Sequence, residues 1–336
     1  LAIFCIIIFC ASICPVTMQN DTYYTIKIGK HIINTKTVDM QDPFSWHELP
    51  YTYPHWAYDV MIYLIYNLGG FLGIFISTIV FACILGILMY CTNYKISKNK
   101  LISFAITIGG MFLIKDYIAA RAQLVTFILL ELTILLIENF LEKKKAGYAI
   151  GIIVISTAIA NLHCAVWPFF FVIFLPYIAE YLIFTVIDAQ PVYRIRKKYY
   201  DIKIKNYNKK IEKEAIEENK KILDEKLKKV IIAKEKFEEK NAKILKNREA
   251  KRKEPYKIRY NKNKNAKWLI LIMAICVLTG LLTPLGDTPY TYLYKTMKGN
   301  TTKSISEHLP LTLINNKEML VVLTATLALL ILQIQK

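Results

Sequence analysis

The chain reads as an all-α, polytopic transmembrane helix bundle of about eight spans, with interfacial helices in its first outer loop and a charged cytoplasmic helical insertion. Three observations carry that reading. Of the 336 residues, 54% are hydrophobic, and they gather in runs near the roughly 20 residues of helix that a bilayer requires. The formal charge is nonetheless +18. That charge is local: residues 193–267 hold 28 of the 44 Lys and Arg but 12 of the 26 Asp and Glu, a surplus of 16, which leaves the remainder close to neutral. An apolar body carrying one basic segment belongs to the membrane class.

The predicted spans are 1–16, 70–92, 101–119, 121–141, 147–166, 168–188, 267–285 and 318–335. The first and last are read as truncated, and the chain as a fragment cut at both ends. Residues 1–16 lack the charged leader and small-x-small cleavage site of a signal peptide. In the loop 17–69, "TYYTIKIGKHII" predicts an amphipathic helix lying on the membrane surface, offering Ile26, Ile28, Ile32 and Ile33 to lipid. Asp42-Pro43 marks a turn. "HWAYDVMIYLIYNLGG" starts a second interfacial helix, which Gly69-Gly70 separates from the next span. Lys115 and Asp116 make 101–119 short or broken. Trp167-Pro168 predicts a tight turn between the fifth and sixth spans, because Pro is a poor helix interior and Trp prefers the interface.

In the basic segment, Ile216, Leu223, Val230, Phe237 and Ile244 recur every seven residues. The second seam (Lys220, Leu227, Lys234, Asn241, Arg248) is mostly polar, so this is one apolar stripe on a long charged helix rather than a self-sufficient coiled coil. A hairpin and a helix lying on anionic lipid are both open. The Lys/Glu mixture and the membrane tether argue against nucleic acid. Three parts result: a transmembrane bundle over 1–192, the insertion over 193–266, and a C-terminal transmembrane part over 267–336. The seven cysteines lie in or near apolar runs without metal-ligand spacing and read as packing residues.

Orientation follows from the lysine-rich connectors 93–100, 141–147 and 193–267, which the positive-inside rule places in the cytoplasm. The expected location is therefore the plasma membrane, multi-pass. The loop 17–69, the 115–121 turn, the 161–168 turn and 286–317 then share the outer side. Polar residues from distant positions are expected to converge there.

Those residues form an ordered series: Asp21-Thr-Tyr-Tyr with Gly29, Asp42-Pro43-Phe44-Ser45, His55-Trp56 with Asp59, Arg121-Ala122-Gln123, Asn161-Leu162-His163 and Ser306-Glu307-His308. The series resembles the GT-C superfamily of polytopic glycosyltransferases, and more narrowly a bacterial, uncharacterised branch of it. In that branch Pro stands where this chain has Ala122, and Trp where it has His308. The resemblance implies a polyprenyl-phosphate-linked sugar as donor, membrane lipid around the site and an acceptor outside the cytoplasm, with a divalent metal left open.

The resemblance implies Asp21 as the base that takes the acceptor's proton; the local alternative is an N-cap of the helix that follows. Asp42 is a second carboxylate that orients acceptor or metal, or only a turn residue. His55 hydrogen-bonds the sugar or supports a carboxylate, or else joins Trp56 in an aromatic belt. Arg121 clamps a phosphate with its planar fork, or snorkels to headgroups. Gln123, His163, Glu307, Trp56 and Asp59 complete the candidate substrate cleft. Trp167 is a further candidate for stacking on a sugar or anchoring at the interface. Glu131 sits mid-span, where a carboxylate is costly and must face the bundle interior; it supports the alternative of a transporter or flippase. A non-enzymatic scaffold acting through 193–267 is the third reading.

Overall fold

The computed structural model describes residues 1–41, 46, 50–252, 263–298 and 317–335. Its helices are α1 (Ala2–Ser12), α2 (Asn20–Thr35), α3 (Trp56–Ser97), α4 (Lys100–Leu113), α5 (Ala122–Lys143), α6 (Ala146–Leu162), α7 (Trp167–Phe170), α8 (Phe174–Ala189), α9 (Pro191–Lys213), α10 (Glu217–Arg252), α11 (Lys267–Thr279), α12 (Thr288–Lys298) and α13 (Lys317–Gln335). Short 3-10 turns link several of them. An antiparallel hairpin interrupts the helices: β1 (Asp39–Gln41) pairs with β2 (Pro50–Thr52), Met40 opposite Tyr51.

Among the described residues three helical stretches are long and apolar enough to cross a membrane: Trp56–Ser97, Ala122–Lys143 and the run Cys164–Lys213. This is consistent with a membrane protein. The other predicted spans are shorter. α4 has 14 residues, α6 has 17 and α11 has 13. Each stops at a local signal. Lys115–Tyr117 forms a 3-10 turn after α4. His163 adopts a non-helical backbone after α6. Gly280 follows α11, with Pro284 close behind.

The chain divides into two compact units, Leu1–Ile178 with Asn265–Val322, and Ala179–Lys264 with Leu323–Lys336. In the first, α3 packs with α1, α2, α4 and α5, and α6 packs with α5 and α11. Apolar burial drives helix association weakly in lipid, so close approach between helices matters more. Gly86 allows it on α3: a Cβ there would meet Cys10 Sγ at 2.6 Å and Ile6 Cγ2 at 2.9 Å. One core cluster joins Ile6, Cys10, Leu85, Met111 and Leu124; another joins Ile137, Ile159, Phe170, Leu269 and Cys276 around Trp167. Trp167 is buried there and donates from Nε1 to Ser156 Oγ at 3.2 Å. It is therefore a core residue, neither an interface anchor nor a sugar platform. Helical hydroxyls bond back into their own helices, as with Thr78 to the Ile74 carbonyl at 2.9 Å and Thr133 to the Leu129 carbonyl at 2.7 Å. That satisfies them where water is scarce.

α3 is divided by Gly70, whose φ of 57° and ψ of −151° suit only glycine. The arm Trp56–Gly69 is helical, as the sequence predicts for the stretch after His55. α2 is helical as predicted too, with a correction. Ile28 and Ile32 are buried with Tyr53, against Tyr24, Trp56 and Val60, rather than turned to lipid. The approach is close because of Gly29: a Cβ there would lie 2.1 Å from the Asp59 carbonyl oxygen.

In the second unit, α9 and α10 form an antiparallel helical hairpin. Tyr193 stacks on Phe237 at 5.5 Å between centroids. Lys197 pairs with Glu238 at 3.2 Å, and Lys234 with Asp201 at 2.7 Å. Of the two arrangements left open for the insertion, the hairpin is present. α9 therefore covers the Phe237 position of the seven-residue stripe on α10.

Candidate functional site

The polar residues of the first unit collect at one end of its helices. α5 begins there and α6 ends there, so the segments that carry Arg121 and His163 come to the same end despite 42 positions between the two residues in sequence. The link is direct: the Thr126 hydroxyl, five residues along from Arg121, bonds His163 Nδ1 at 2.9 Å. The lysine-rich connectors 93–100 and 141–147 lie at the opposite end. Lys95 pairs with Glu142, and Asn265 Nδ2 donates to the Leu141 carbonyl at 2.9 Å. α5 has 22 residues, which at 1.5 Å per residue separates the two ends by about 33 Å.

Asp21 lies in the first turn of α2, but the N-cap is Gln19, and no side chain caps the helix. The N-cap expectation for Asp21 is thus corrected. Its carboxylate instead forms an ion pair with Arg121. Arg121 is the extended residue ahead of α5, and this fixes where its side chain starts. The Thr22 hydroxyl donates to the Ala120 carbonyl at 3.4 Å and ties the same two segments together. Asp21 is half-exposed and Arg121 mostly covered, so the pair sits at the rim of the cluster rather than in the core.

The second pair lies deeper. His55 precedes α3 and Asp59 occupies its first turn; the spacing of four brings His55 Nδ1 to 2.8 Å from Asp59 Oδ1. The Asp59 side chain is fully buried, within reach of the Thr25 side chain as well as His55. The arrangement leaves Nε2 of His55 as the ring nitrogen not engaged by Asp59. The His163 ring stands 6.4 Å from that of His55. His163 lies past the last residue of α6, and burial, with His55 as the smaller influence, pushes its pKa down to about 3. His163 is therefore a neutral ring at physiological pH. Tyr58 is buried between the two pairs, within electrostatic reach of both Asp59 and Arg121.

Trp56 has a structural contact: Nε1 donates to Asn161 Oδ1 at 3.1 Å. Asn161 in turn donates to the Leu282 carbonyl at 3.0 Å. Cys164 N donates to the Pro54 carbonyl at 2.7 Å. These bonds hold the start of α3 against the end of α6. Gln123 lies in the first turn of α5, its Oε1 buried without a hydrogen-bond partner among the described residues. Asp42 and Glu307 lie outside the described residues.

Asp21, Arg121, His55, Asp59 and His163 are thus brought to one end of one unit. The sequence presents Asn161 only within the Asn161-Leu162-His163 motif and gives Thr126 and Tyr58 no role in the cleft. Asn161 has a signal, standing two residues before His163. Thr126 has none, since a Thr hydroxyl on an apolar helix normally bonds its own backbone, and Tyr58 reads with Trp56 as an interfacial aromatic. Among the described residues no group of three or more His, Cys, Asp and Glu side chains is placed to hold a metal ion. In chemical terms the cluster offers a guanidinium for an anion, a carboxylate beside it and an imidazole held by a buried acid. No protein-family model, curated protein or solved structure matches the chain.

Proposed function

We propose that the chain is a membrane glycosyltransferase that moves a sugar from a polyprenyl-phosphate donor to an acceptor outside the cytoplasm. The observation that carries this reading is the Asp21–Arg121 pair beside the His55–Asp59 pair, at one end of helices long and apolar enough to cross a bilayer. A lipid-phosphate donor presents its anion at headgroup depth, where a planar guanidinium matches two phosphate oxygens. Arg121 is the residue for that contact.

Donor phosphate and Asp21 compete for the same guanidinium. Arrival of the donor frees the carboxylate next to the reacting centre. Asp21 then accepts the proton of an acceptor hydroxyl as that oxygen attacks the anomeric carbon. The bond from the anomeric carbon to the phosphate oxygen breaks, and its electron pair leaves with the polyprenyl phosphate. The result is a single inverting displacement. His55, held through Nδ1 by Asp59, offers Nε2 to a sugar or acceptor hydroxyl, and neutral His163 lines the same wall.

The test is Asp21→Asn in the full chain, assayed for transfer of labelled sugar from a lipid-linked donor. The expected loss is at least about 100-fold, the usual scale for removing a general base. Turnover at the wild-type rate ends the assignment. Transport is the rival reading, and its observation is Glu131, which faces the Thr92 hydroxyl away from the cluster. Uptake into proteoliposomes that fails in Glu131→Gln but survives in Asp21→Asn supports transport instead.

A further inference from the structure

The α9–α10 hairpin leaves one face of α9 uncovered. Val192, Ile195, Tyr199 and Ile202 are between 51% and 74% exposed. Their spacings of three, four and three residues place them on a single stripe of the helix. The opposite face, with Tyr193, Lys197 and Asp201, is the one that meets α10 through Phe237, Glu238 and Lys234. The stripe is therefore neither a leftover of the hairpin interface nor available to close it.

Charge and chain path say what covers the stripe. α9 carries nine Lys and Arg against two acidic residues, Asp201 and Glu212. By helical position Lys203 flanks the stripe on one side and Lys198 and Lys205 on the other, while Arg196 turns towards α10, its guanidinium 5.1 Å from the Phe237 ring centroid. Lys203 lies over the Tyr199 ring at 5.6 Å, an ammonium held at the margin of the apolar surface. An apolar centre with cationic borders fits a lipid leaflet whose headgroups are anionic. Nucleic acid would use the lysines and leave the Ile and Val in water. A second copy would bring like-charged borders together.

The chain also reaches α9 from a segment suited to lipid. α8 exposes Leu182, Ile183 and Val186, and it belongs to a run long and apolar enough to cross a membrane. Gln190, in the left-handed region with φ 46° and ψ 54°, then turns the chain before Pro191 starts α9. α9 is thus no straight extension of α8.

We propose that this exposed face of α9 docks on the anionic lipid of the leaflet where α8 ends, with the four apolar side chains among the acyl-chain boundary and the Lys and Arg at the headgroups. The proposal stands apart from the glycosyltransferase reading and shares no residue with it.

The experiment is hydroxyl-radical footprinting of the full chain in lipid nanodiscs, reading Tyr199 against Tyr200. These neighbours differ in face: Tyr199 lies on the stripe, whereas Tyr200 lies 5.9 Å from Phe237 of α10. In discs containing about 30% phosphatidylserine, Tyr199 oxidation is expected to be at least about threefold slower than in pure phosphatidylcholine, and to recover in about 0.5 M salt, which screens headgroup attraction. Tyr200 is expected to be unchanged, and Ile195→Asp with Ile202→Asp to abolish the lipid dependence. Equal Tyr199 oxidation in the two lipids overturns the proposal. So does protection that arises only on adding an oligonucleotide, or only on raising the protein concentration.

Discussion

His163 is a neutral imidazole because of where it is buried, and that gives the protein a defined pH response. Its folded pKa, pushed down to about 3, lies below the roughly 6.5 of a free histidine. The unfolded ring therefore binds a proton below about pH 6.5 while the native ring does not. Stability from this residue is complete above that pH and is lost as pH falls towards 3. Between pH 6.5 and 5.0 the wild type is expected to lose about 1–2 kcal/mol more than His163→Gln, read as the unfolding midpoint in detergent. Parallel curves would mean that the native ring is protonated after all. The His55–Asp59 pair allows a second test. His55→Leu strands a buried carboxylate and should cost about 3–5 kcal/mol. Adding Asp59→Asn should restore about 2 kcal/mol, since a stranded amide costs less than a stranded charge. A double variant no more stable than the single one would show that charge is not the cause. The polar residues at the span ends were legible in the sequence. Asp21 as the partner of Arg121 was not, because a carboxylate ahead of an amphipathic stretch reads equally well as a helix cap.

Gly29 and Gly70 act on the first part of α3 in different ways. Gly29 sits where α2 crosses the first turn of α3, and any Cβ there collides with the Asp59 backbone. Gly29→Ala should push α2 away and cost about 1–3 kcal/mol, and it should also loosen the Asp21–Arg121 pair, seen as faster proteolysis within α2. Gly70 works differently. Nothing lies within 4 Å of a Cβ placed there, so Gly70→Ala is penalised by its backbone angles alone, about 1–3 kcal/mol. A variant as stable as wild type in the same denaturation assay would rule out the kinked form. Gly69-Gly70 was readable as a helix break, and the seven-residue stripe as a helix in need of a cover. The β1–β2 hairpin leaves no trace in the sequence, because three-residue strands are too short to show an alternating pattern. α4, α6 and α11 were read as longer than they are because apolar residues continue past their ends, while Lys115-Asp116, His163 and Gly280 stop the helices.

At the scale of the first unit, the polar cluster and the lysine-rich connectors occupy opposite ends. If the helices between them cross a bilayer, a membrane-impermeant maleimide should label Asp21→Cys and Arg121→Cys from one side only, and Lys98→Cys and Lys144→Cys from the other, with the exposed native Cys91 replaced by Ser. Labelling of Asp21→Cys and Lys98→Cys from the same side would remove the shared outer site. Composition and short-range pattern alone determined the all-helical apolar body, the confinement of positive charge to one insertion and the breaks at Gly70 and Lys115, since each depends on residues within a few turns of one another. Only the tertiary structure decided that Asp21 meets Arg121, that Thr126 holds His163, that Trp56 ties to Asn161 and that α10 covers one face of α9 but not the other. Those contacts join residues from 37 to 105 positions apart. Which distant residues touch depends on how closely neighbouring helices pack and where each one stops, and no local pattern encodes that.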